Sequence, residues 1–101
     1  MKRLPMVFVA ALAACATTDP PESQMAAARA MVAQARLAQP TAPVELNAAQ
    51  EKLARAESAM QRGDYGHARL LAEEAEADAR LAWSASERSR MQNALAREQR
   101  R

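Results

Sequence analysis

At 101 residues with a mean hydropathy of −0.39, the chain has room for one small domain. Half of its residues are hydrophobic but only 3% are aromatic. Alanine makes up the difference, a residue that favours helix and buries little area, so the core is too thin to enclose a small-molecule substrate. The formal charge of +2 owes itself to Lys2 and Arg3; without them 12 basic residues balance 12 acidic ones, which argues against a general nucleic-acid binder.

Residues 1–14 have the three parts of a secretory signal peptide. Lys2 and Arg3 form a positive start, Leu4 to Leu12 a short apolar run interrupted by Pro5, and small residues lead to a processing site. The run is about half the roughly 20 residues needed to span a bilayer. Its ending, Leu12-Ala13-Ala14-Cys15, resembles the lipobox of bacterial lipoproteins. That resemblance implies diacylglyceryl transfer to the Cys15 thiol and cleavage between Ala14 and Cys15. The chemistry needs a thiolate that can be alkylated, and Cys15 is the only cysteine, which leaves it no disulfide role. Two or more acyl chains hold a protein durably on a bilayer, so the mature chain is expected to be anchored to a membrane through Cys15 and not to span it. Ala16 follows the cysteine where an Asp marks inner-membrane retention in many enteric bacteria. The outer membrane, facing the periplasm, is therefore favoured over the inner one.

Residues 15–20 read as a lipidated tether and 21–101 as an Ala-rich helical domain. Asp19-Pro20-Pro21-Glu22 has the pattern of a capped start, with Asp19 as N-cap and Glu22 reaching back. A first helix is predicted over about 21–38, with Met25, Ala28, Val32 and Ala35 at spacings of three and four, ended by Pro40. A second is predicted over about 43–62. Its seam of Leu46, Ala49, Leu53, Ala56 and Met60 runs down one face, and a Glu51–Arg55 pair lies on the wet side. Gly63 suits the left-handed residue that closes a helix, and Asp64 the N-cap of the next.

So tight a joint makes the second and third helices antiparallel neighbours. The third is predicted over about 64–97, with Ala68, Ala72, Ala75, Ala79 and Ala82 as a small-residue stripe that lets two backbones approach closely. Ser84, Ser86 and Ser89 weaken helix propensity beyond it, where fraying or a bend is expected. At 1.5 Å per residue the third helix outreaches the second by roughly 20 Å, carrying Met91 and Leu95 on the overhang unless the first helix or another chain covers the excess. Residues 64–82 hold five acids against Arg69 and Arg80, and residues 83–101 hold five arginines against Glu87 and Glu98. That order complements the helix dipole. The fold class is therefore all-α: a small antiparallel hairpin or three-helix arrangement with a long C-terminal helix.

Pro21-Glu22-Ser23, Glu51-Lys52-Leu53-Ala54-Arg55-Ala56 and Gly63-Asp64-Tyr65, followed by Ala68, Leu71-Ala72, Glu74-Ala75, Asp78-Ala79 and Leu81-Ala82, resemble one family. It is the Ala-rich domain of unknown function found in proteobacterial periplasmic lipoproteins. The resemblance covers nearly the whole mature chain and implies no activity. Longer relatives carry an OmpA-like peptidoglycan-binding module beside the domain, which this sequence lacks, so cell-wall binding does not carry over. A weaker likeness links the Gly-Asp-Tyr turn to tetratricopeptide repeats, but a single helix pair builds no solenoid.

Chemistry is sparse. His67 is the sole histidine, and no Glu-x-x-His pair accompanies Glu73, Glu74, Glu76 and Asp78, which read as a solvated face with a Glu76–Arg80 pair. There is no phosphate loop, zinc spacing or nucleophile with a base, so no catalytic or metal residue, no cofactor, no small-molecule substrate and no enzyme is expected. The expected role is a membrane-anchored structural or adaptor protein acting through helix association, with copies of itself or with an envelope protein. The alternative is a TPR-like peptide- or protein-binding module. A covalent cell-wall tether through a C-terminal lysine ranks last, because the chain ends Arg100-Arg101 and keeps only Lys52 beyond the signal.

Overall fold

The computed structural model describes residues 19–38 and 41–101. Three helices make up these residues: α1 (Glu22–Leu37), α2 (Pro43–Gln61) and α3 (Tyr65–Gln99). The expected signal peptide with Ala14, the expected lipid-bearing Cys15, and Pro40, expected to end the first helix, lie outside the described residues.

α1 starts later than the capping pattern suggests. Its N-cap is Pro21, with no side-chain cap bond, and the Pro21 carbonyl accepts the Met25 N–H at 3.0 Å. Asp19 therefore does not cap it. A residue preceding proline is pushed out of helical conformation, so Pro20, standing before Pro21, cannot be the first helical residue.

The α2–α3 joint forms as its residues dictate. Gly63 has φ 75°, the left-handed region. Its N–H reaches the Met60 carbonyl at 3.1 Å, and the Asp64 N–H reaches Ala59 at 2.8 Å, the paired bonds of a Schellman closure. The Asp64 carbonyl then takes the Ala68 N–H at 3.0 Å and starts α3. The Asp64 side chain makes no cap bond; it turns to His67 instead.

Two layers of core follow from the stripes. Near the α2–α3 turn, Met25, Ala28, Ala56, Ala72 and Ala75 pack together, flanked by Leu53, Met60 and Leu71. At the other end, Val32, Ala35, Ala49, Ala79 and Ala82 do so, flanked by Leu46 and Trp83 among others. Early residues of α1 thus meet early residues of the α3 stripe, and late meet late, so α1 runs parallel to α3 while α2 runs antiparallel to both. Contact is most extensive between α2 and α3 and least between α1 and α2. All five stripe alanines of α3 are fully buried, as is Ala59 of α2.

The serines do not end or fray α3, which stays helical to Gln99. Ser86 is buried and its hydroxyl donates to the Ala82 carbonyl at 3.1 Å, satisfying it within the helix. One turn on, Arg90 Nη2 donates to the Ala38 carbonyl at 2.7 Å and Nη1 to Glu87 at 2.9 Å. A cation thus closes the negative end of α1 and straps it to α3. α3 outreaches α2 as the helix lengths predict, and α1 covers part of the excess up to Arg90, leaving Met91–Gln99, about 14 Å, uncovered.

Candidate interaction surfaces

Two surfaces merit description: the cleft at the α2–α3 turn and the outward face of α3. The cleft, about 410 Å³, is lined by Arg55, Ser58, Arg62, Asp64, His67 and Leu71. Asp64 is its hub. Its Oδ2 lies 2.8 Å from His67 Nδ1 and 3.9 Å from Arg62 Nη2. The hydrogen bond from the His67 ring is the main cause that holds the Asp64 carboxyl below its usual range, with the Arg62 charge adding to it. These side chains satisfy one another at an exposed turn, which is the arrangement of a joint.

A second charged cluster spans α2 and α3. Lys52 Nζ lies 2.8 Å from Asp78 Oδ2 and 3.6 Å from Glu74 Oε1. The hydrogen bond to Asp78 raises the Lys52 ammonium above its usual range, with burial opposing it and the charges of Asp78 and Glu74 adding to the rise. Lys52 therefore acts as a clamp between helices. α2 pairs charges across helices through Lys52 toward α3 and through Glu57, which accepts from Arg29 Nε of α1 at 3.2 Å. The Glu51–Arg55 pair expected from the sequence does not form, and Arg55 lines the turn cleft. Glu76 and Arg80 pair at 2.7 Å as their spacing suggests.

The outward face of α3 carries Leu70, Leu81, Met91 and Leu95, all exposed, with Leu81 at 58%. With 3.6 residues per turn, these four together with Ala77 and Ser84 fall in an arc of roughly 80°, centred roughly opposite the buried alanines. They occupy the first and fourth places of a seven-residue repeat: Leu70, Ala77, Ser84 and Met91 in one row, Glu74, Leu81, Arg88 and Leu95 in the other. α3 thus carries, opposite its buried alanine face, an outward row of leucine and methionine interrupted by the exposed Glu73 and Arg88. The outward row escapes sequence reading because the alanine stripe dominates the periodicity; the spacing of the leucines was the available signal. Among the described residues no cluster of His, Cys, Asp and Glu could hold a metal ion. No helix among them is long and apolar enough to cross a membrane.

Geometry and surface together define a small three-helix protein whose long last helix serves both as core and as exposed ridge. A family model described as domain of unknown function (DUF4398) matches residues 23–98, the whole bundle, and the chain belongs to that family. No curated protein and no solved structure matches the chain.

Proposed function

We propose that the protein is a lipid-anchored envelope lipoprotein that acts as a structural or adaptor element through helix association, without catalysis. The observation that carries the anchor is Leu12-Ala13-Ala14-Cys15 directly after an apolar run with a basic start. Cys15 bears the acyl chains, Ala14 is the last residue removed, and the outer membrane, facing the periplasm, is the destination favoured by Ala16. The adaptor role is supported by the exposed leucine row of α3, since large apolar side chains repeated along one exposed helix face mark an interaction surface. The start of α1 at Glu22 is seven positions after Cys15, a reach of at most about 25 Å. The Gly63 turn then faces the bilayer and the free end of α3 points away from it.

Sedimentation of membranes and palmitate labelling test the anchor. Wild type is expected to sediment and label, and Cys15→Ser to do neither. Labelling of Cys15→Ser would refute the lipoprotein reading. The TPR-like reading requires a groove that holds extended peptide, which several stacked helix pairs build and one pair does not.

A further inference from the structure

We infer that the outward face of α3 is a seam for a second copy of this chain, laid antiparallel along it. The inference rests on the helix-association reading above and gives it a partner and a direction. Three observations on one helix converge.

The first is length and register. Leu70 to Leu95 spans 26 residues, nearly four heptads, with apolar or small residues at six of the eight seam places. The row is continuous with the free end of α3, where Met91 and Leu95 stand beyond the Arg90 strap. Single exposed leucines are ordinary on protein surfaces; a row at seam spacing opposite an already buried face is not.

Charge along the helix supplies the second observation. Residues 64–82 carry a formal −3, and residues 83–101 a formal +3. An antiparallel copy sets each acidic half against a basic half, whereas a parallel copy sets like against like. Such complementarity selects partner and orientation more than it adds affinity.

The third lies in the two charged seam places, Glu74 and Arg88. In-register parallel pairing puts Glu74 beside its own copy and Arg88 beside its own copy, a like-charge arrangement that disfavours itself. In the antiparallel register that sets Leu70 against Leu95 of the second copy, Leu81 meets Ser84 and Glu74 comes within a turn of Arg88. Each seam charge then has an opposite neighbour. Glu74 keeps its own Lys52 3.6 Å away, so it is not left uncompensated in the monomer.

The test uses the full chain carrying Cys15→Ser, which removes the acyl chains and leaves no other thiol. Sedimentation equilibrium is expected to give a reversible dimer of twice the 11.0 kDa chain mass. Leu81→Glu is expected to raise the dimer dissociation constant at least about tenfold. Its helical circular dichroism should be unchanged, because Leu81 is exposed in the monomer. Orientation is read by oxidation of Leu70→Cys and Leu95→Cys chains. Each alone should cross-link poorly and a one-to-one mixture should give the mixed disulfide dimer. Efficient cross-linking of either chain with itself would overturn the antiparallel seam, and so would a dimer indifferent to Leu81→Glu. A chain that is monomeric in this assay while wild-type membranes yield an envelope partner lost in Leu81→Glu would sink self-pairing and leave helix association standing. Loss of both would sink the two together.

Discussion

Gly63 and Gly66 stand three residues apart and should respond to alanine with opposite signs. Neither has an atom within 4 Å of the place a Cβ would occupy, so crowding decides neither case. Gly63 holds φ 75°, and Gly63→Ala is expected to cost about 1–2 kcal/mol in urea unfolding. Gly66 lies in the first turn of α3, where Gly66→Ala should gain about 0.4–1 kcal/mol by restricting the unfolded chain. The two shifted charges, Asp64 at the α2–α3 joint and Lys52 between α2 and α3, act at opposite ends of the pH scale. Asp64 is lowered from its ordinary 3.8, so its contribution is present above that value and is lost as pH falls through the folded one. Lys52 is raised from its ordinary 10.5, so its contribution is present below that value and is lost as pH climbs through the folded one. Urea midpoints across pH should show a flatter acid limb in Asp64→Asn and a flatter alkaline limb in Lys52→Met.

The three helices meet through alanines that leave no space for enlargement, while the far side of α3 is open. Ala75→Leu is therefore expected to cost about 1–3 kcal/mol by forcing helices apart. Ala77→Leu, two residues on and exposed, should stay within about 0.5 kcal/mol for the monomer. Denaturant titration at low protein concentration separates the two. That pair also marks what the sequence makes legible. Met25, Ala28, Val32 and Ala35 of α1 and the alanine stripe of α3 are readable because one buried face imposes a spacing of three and four. Helix ends were readable where a single residue decides them, as at Gly63, and misleading where two signals compete, as where Pro20-Pro21 overrides Asp19. Arg90, Ser86 and Lys52 could not be read, because their partners Ala38 and Asp78 are set by how helices stack, and burial of Ser86 depends on α1 running parallel to α3. The outward row of α3 was written plainly in leucine spacing but overshadowed by the stronger alanine pattern.

At the level of the whole molecule, the parallel course of α1 and α3 gives the bundle a near end, where both begin, and a far end, where α1 stops. The strap from Arg90 to Ala38 joins the two outgoing helices at the far end, while the Schellman closure at Gly63 joins the returning one at the near end. Between these fasteners the fully buried side chains are almost all alanine, with Met25 and Ser86 the largest. Alanine gives up little hydrated apolar surface when it is buried, and it is the exposure of such surface that makes the heat capacity of unfolding large. Calorimetry, with the transition moved by pH, should return a value below the usual range of about 12–15 cal/mol/K per residue. The enthalpy of unfolding would then change little with temperature. A core of this kind gives the protein a stability curve that is low but flat, nearly as firm in the cold as at the warm end of growth.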